Sequence, residues 1–331
     1  MTTMSLERRV SMRTAVLFIA GTILVPGARG LAGDQATSAP RAEQTDRQLR
    51  TLDLGSSGAL DLSTISGNII VTTGTGPATL EITRRSRART DAEAKRGLDR
   101  VTVDVEQRTG RVTVKTIDPD SGGHSTADVQ VSFEVTAPAA TTLTARTIAG
   151  DISITGIHGD VGANTVSGSV TLANVRRISE AHSVTGTVAI SDAQTDGSLE
   201  AESIAGNILL TRVKAGRVSA SSISGTITAE GVDCDEAVLK SLSGAIAYRG
   251  SLARSGRYEL HTQTGSVHFE PSDPAGFDLD ARSFSGTIHV DPALHFQVAG
   301  APRRSLTGTV GTGGATVVIV TFSGGVTIGK R

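Results

Sequence analysis

The chain has 331 residues, of which 38% are hydrophobic and 20% charged, and its formal net charge is -1. It holds 38 glycines, no tryptophan, 3% aromatic residues and a single cysteine, Cys234. This composition excludes an intrachain disulfide and a multi-cysteine zinc site, offers no basic surplus for nucleic acid, and favours many short strands with tight turns over an aromatic-centred core.

At the N-terminus, Arg8, Arg9 and Arg13 precede the apolar run AVLFIAGTILV, and small residues follow in VPGARGLAG. That order of charged, apolar and cleavable segments is the pattern of a secretory leader over residues 1–30, cut after Gly30 or Ala32. The run falls short of the roughly 20 residues that a spanning helix needs, and Pro26 and Gly27 interrupt it; an uncleaved anchor is the alternative. Removing the leader takes the formal charge to about -4 and leaves no cysteine for lipid attachment and no integral membrane span. Residues 31–50 read as a disordered linker.

Residues 51–140 read as a β-rich section that starts a stack and closes its end. Its segments ATLEIT, VTVDVEQ, RVTVKT and VQVSFEV alternate like strands. Between the first two, Thr90 with Glu93 three residues later predicts a capping box opening a short helix. The basic run RRSRAR reads as a solvated face, offset by Asp91 and Glu93.

One phrase occurs early as TISGNI and then recurs from residue 141 to 331: TIAGDI, TVSGSV, SVTGTV, SIAGNI, SISGTI, SLSGAI, SFSGTI. Its glycines are Gly67, then Gly150, Gly168, Gly186, Gly206, Gly225, Gly244, Gly265, Gly286, Gly308 and Gly324, at gaps after Gly150 of 18, 18, 20, 19, 19, 21, 21, 22 and 16 residues. A period near 20 signals a solenoid or array. Within each copy Ile223, Gly225 and Ile227 share one parity and Ser222, Ser224 and Thr226 the other, which predicts a strand with an aliphatic inner face and a hydroxyl outer face. A second short segment precedes each copy, as in RVSAS, SLEAE and DLDAR. The expectation is an all-β solenoid of stacked coils, right-handed by the rule for parallel crossovers, in which neighbours seal an aliphatic column that one coil cannot stabilise alone. The glycine at inward parity admits two causes, a bend that only glycine tolerates or a wall too close for a Cβ.

The chain carries no G-x-S-x-G, H-E-x-x-H, Walker or Rossmann motif, and GTGP at residues 74–77 reads as a turn. No cofactor is expected. In the predicted register His268 stacks on His289 and Glu270 on Asp291, a set that suits a divalent metal; the plainer reading is a solvated polar ladder. DPDSGGHSTAD, with Asp118, Asp120, His124 and Asp128, lacks the closing acid of a calcium loop and reads as a hairpin loop. Asp233, Asp235 and Glu236 around Cys234 read as a turn. Tyr248, Phe269 and Phe284 lie at inward parity and are expected in the core, which removes the aromatic platforms that a polysaccharide-cleaving site uses.

The leader, the opening LRTLDLGSSGALDLSTISGNIIVTT, the segment TDAEAKRGLDRV and the chain of TIAGDI and TVSGSV copies together resemble a bacterial exported β-strand-repeat family of unknown function labelled "putative adhesin". The likeness spans about residues 48–330. It implies an envelope-associated solenoid and carries over no catalytic residues. The function expected is a non-enzymatic structural or adhesin-like protein, periplasmic, cell-surface or secreted, that presents Ser/Thr-rich faces to a protein or polysaccharide of the envelope or exterior. A carbohydrate-active β-helix enzyme and a periplasmic sensor are the alternatives.

Overall fold

The computed structural model describes residues 42–119, 127–272, 276–294, 296–298 and 304–329; the leader lies outside them. Among the described residues the chain is all-β with one α-helix, Asp91–Arg100, and one 3₁₀ turn, Pro292–Leu294. The strands form a large, mostly parallel sheet system that curves nearly closed around an axis.

Each repeat supplies two strands separated by its glycine. The Gly225 repeat, for example, contributes Lys214–Ser224 and the start of Ile227–Ser243. Strands before the glycine pair in parallel with those of neighbouring repeats to form a first ladder, and strands after it form a second. A repeat is thus one level of the sheet, and the levels share one continuous core running from Leu52 to Ile328. On the first ladder Ala145, Ala163, Ala181, Ala201 and Ala220 pair in succession, followed by Leu239, Leu260 and Ile319. The larger side chains coincide with an aromatic cluster in the core, where Tyr248 stacks on Phe269 at 5.5 Å and meets Tyr258 edge-on at 5.6 Å.

The alternation does not run through the glycine. In the Gly225 level Val218, Ala220 and Ser222 are buried before it, and Ile227 and Ala229 after it. Residues 223–226 form a corner at which parity slips by one position. Two expectations are corrected as a result. Ser222 faces inward, and Ile223 faces out at 50% exposure. Phe284 likewise stands outside, at 66% exposure, whereas Tyr248 and Phe269 fill the core.

Close approach explains the glycine. A Cβ on Gly225 would lie 2.1 Å from the carbonyl oxygen of Gly206, and one on Gly244 would lie 2.0 Å from that of Gly225. The neighbour is the same corner one level away, not the opposite wall. Some corners also need a left-handed backbone, such as Gly67 at φ 130°. The buried hydroxyl three residues earlier completes the corner: Ser222 Oγ donates to the Gly206 carbonyl at 3.2 Å, Ser183 Oγ to Gly168 at 2.8 Å and Thr165 Oγ1 to Gly150 at 3.0 Å.

The two ends depart from sequential stacking. Arg257–Thr264 pairs with Ala315–Ser323, which in turn pairs with Phe277–Ser283. The Gly324 level is therefore inserted between the Gly265 and Gly286 levels, although it comes last in the chain. Gly308 is not a corner: it lies in Ser305–Val310, which pairs antiparallel with Phe277–Ser283 and is the inner strand of a hairpin with Phe296–Val298 that covers the end of the first ladder. At the other end Arg111–Ile117 and Asp128–Ala137 pair outside the Gly67 level, and Ala42–Leu52 and Ala78–Ala88 extend the second ladder antiparallel.

Part of the expected linker is thus ordered. Residues 42–50 belong to a strand because its acids meet the basic run: Glu43 pairs with Arg87 at 2.8 Å and with Arg85 at 3.2 Å, and Asp46 pairs with Arg84. Those two acids engage three of the four arginines of RRSRAR. Helix Asp91–Arg100 packs against this hairpin and begins with the capping box predicted for Thr90 and Glu93.

Candidate functional site

The inward turn of the hydroxyls leaves an outward apolar residue two positions before each glycine, and the register places these residues in one column. It runs from Ile65 through Ile148, Val166, Val184, Ile204, Ile223 and Leu242, is interrupted by Gln263, and ends on Phe322 and Phe284. Ile65 and Val184 are half-buried and the other apolar members exposed. At about 4.8 Å per level the column is about 43 Å long. Phe284 and Phe322 stack with centroids 4.7 Å apart and planes 5° from parallel, a pairing that exists only because the last repeat is inserted beside the Gly286 level.

Along its C-terminal half the column forms the floor of a groove of about 850 Å³, with Ile223, Leu242, Phe322 and Phe284 beneath. Its described walls carry four basic side chains, Lys240, His261, Arg282 and Arg304, and one acid, Glu202. Arg282 is held by Asp280 at 2.7 Å, and His261 lies 3.6 Å from Glu259. Lys240 and His261 are paired neighbours on adjacent levels, so a polar notch of Lys240, His261 and Gln263 breaks the apolar floor.

The proposed metal set does not assemble. Because the Gly324 level is inserted, His268 pairs with Thr327, and Thr327 pairs with His289. Two strand spacings, about 9.6 Å, with Thr327 between them, separate the imidazole-bearing positions, so the two are not stacked neighbours. Glu270 is engaged by Arg249 at 2.8 Å. His268, Glu270, His289 and Asp291 do line a common depression of about 530 Å³, but no group of three or more potential metal-ligating side chains occurs among the described residues.

Asp118 pairs with Arg100 at 3.0 Å, Asp128 starts a strand, and Asp120 and His124 lie outside the described residues. Asp233, Asp235 and Glu236 are not in a turn. They belong to the 17-residue strand Ile227–Ser243, held open by Lys214–Asp233 and Arg217–Glu236 pairs at 3.6 and 3.1 Å. Cys234 is buried there, and burial pushes its thiol up to about 12. Tyr258 Oη donates to the Cys234 carbonyl at 2.6 Å, and burial raises that phenol as well, to about 12.

No protein-family model matches the chain, and no curated protein matches it. Among solved structures it is similar to a "putative adhesin" from Bacteroides fragilis NCTC 9343, at 14% identity and TM-score 0.43 over 88% of this chain and 99% of that one. A "putative lipid binding protein" from Parabacteroides distasonis ATCC 8503 aligns at 12% identity and TM-score 0.47, over 86% of this chain and 96% of that one. A "putative cell adhesion protein" from Clostridium sporogenes ATCC 15579 aligns at 9% identity and TM-score 0.25, over 88% and 100%. These low-identity neighbours thus bear the names "putative adhesin", "putative cell adhesion protein" and "putative lipid binding protein". No helix among the described residues is long and apolar enough to cross a membrane.

Proposed function

We propose that this protein is an exported, non-enzymatic β-solenoid whose outer apolar column, margined by hydroxyl side chains, binds a partner in the cell envelope or exterior. The observation that carries this reading is the column itself. Isolated surface hydrophobes need no explanation, but a contiguous apolar strip with polar margins marks an interaction surface, and repeated weak contacts along it sum as avidity. Sugar cleavage uses two carboxylates, and Glu202 is the one acid among the groove's described lining residues, so the geometry suits binding better than hydrolysis.

The test is co-sedimentation of the purified protein with isolated cell-envelope material, beside the variant Ile148→Ser/Val166→Ser/Ile204→Ser, with matched melting curves as the folding control. The parent should be retained and the variant released. Equal retention of both, or of neither, would overturn the proposal.

A further inference from the structure

The C-terminal groove has features that the rest of the column lacks. Its floor includes the only aromatic members of the column, Phe322 and Phe284, which are 53% and 66% exposed. One polar residue, Gln263, interrupts that floor. Beside this break stand Lys240 and His261, and Arg304 closes the far end. Arg282 is already neutralised by Asp280, which leaves Lys240 and Arg304 as the cations with no ion-pair partner among the described contacts.

An apolar channel with a cationic notch is complementary to an amphiphile with one acyl chain and an anionic head. From the Gln263 notch to Phe284 the floor covers two level spacings, about 10 Å, so an acyl chain of about 15 Å, half of a bilayer's ~30 Å hydrocarbon core, fills that arm and runs past its end. Apolar contact along that arm holds the chain by taking methylenes out of water. A sugar polymer fits less well: the Phe284 and Phe322 rings are stacked on each other, and the remaining floor is aliphatic.

We infer that the groove floor over Phe322 and Phe284 binds the chain of a long-chain fatty acid, with its carboxylate at the Lys240–His261–Gln263 notch. This names the ligand class for one end of the column and rests on the reading of the column as a binding surface.

The experiment is displacement of a fluorescent single-chain fatty acid from the full protein by palmitate, kept below its critical micelle concentration. The expected result is saturable one-to-one binding, with a neutral monoacylglycerol of the same chain length at least tenfold weaker. Lys240→Gln should shrink that preference to less than about threefold, and Lys240→Arg should restore it. Phe284→Ser/Phe322→Ser, at exposed positions that leave the core intact, should weaken both ligands at least tenfold. Absence of saturable binding, equal affinity for acid and neutral lipid, an unaffected phenylalanine variant, or binding only to phosphatidylglycerol vesicles would each overturn the inference. If palmitate fails while the parent still sediments with envelope material, the fatty-acid assignment falls and the broader reading stands.

Discussion

At the scale of single residues the corner is a two-part device: a glycine whose missing Cβ lets successive levels meet, and a hydroxyl that satisfies the carbonyl left at the bend. Gly225→Ala places a methyl 2.1 Å from the Gly206 oxygen and should cost about 3 kcal/mol in urea denaturation, the upper end for overpacking. Ser222→Ala deletes the bond to Gly206 and should cost about 1 kcal/mol. Ser222→Thr should stay within about 0.5 kcal/mol of the parent, in the range of uneventful substitutions, because threonine already serves at Thr165 and Thr262. Cys234 yields a different prediction. Its thiol pKa is raised in the folded chain, so it contributes stability that is fully present below the unfolded value, 9.0, and lost as pH rises toward about 12. Tyr248 and Tyr258, also raised by burial, add to the same alkaline loss. Melting temperature should fall steadily above pH 9, and native Cys234 should resist a thiol reagent at pH 8 until urea is added.

At the scale of elements the second corner of five successive levels, from the Gly150 level to the Gly225 level, turns through a left-handed residue. Gly156 and Gly231 take that place in two levels, but Asn174, Asp192 and Arg212 hold φ near 52° in others. Asparagine and aspartate accept this conformation through short polar side chains, and Arg212 is anchored by two hydrogen bonds to Asp192, at 2.6 and 2.7 Å. A β-branched residue has no such accommodation. Asn174→Val should destabilise by about 1–2 kcal/mol, the cost of left-handed backbone for an ordinary L-residue, measured as a shift in urea midpoint with an unchanged slope.

At the scale of the whole molecule both ends are built out of chain order. The outermost levels are laid down before the level they cover at the C-terminal end, and after it at the N-terminal end, and antiparallel strands lie beyond them. Such closure shields strand edges that would otherwise recruit other chains. A chain ending at residue 311 lacks Ala315–Ser323 and Val326–Ile328, so Arg257–Thr264 and Phe277–Ser283 lose the strand between them. In a level-by-level array damage stays near its origin. Limited proteolysis of that truncation should therefore cut the segment after residue 272 rapidly while leaving residues 142–250 protected, and the Phe284–Phe322 floor should disappear with it.

The amino-acid sequence alone determined what is local: strand after strand from period-two alternation, the level length from the spacing of glycines, and the helix start at Thr90, since these depend on neighbours within a few residues. The gaps of 22 and 16 around Gly308 were the one local trace of the end hairpin. Only the tertiary structure decided which side of a strand faces the core, because a corner shifts parity by one residue without changing the alternation on either side of it. That single shift turned Ser222 inward and Ile223 outward. Tertiary structure also decided which level lies beside which: pairing is set by edge complementarity and end closure, not chain order, and it separated His268 from His289 while bringing Phe284 onto Phe322.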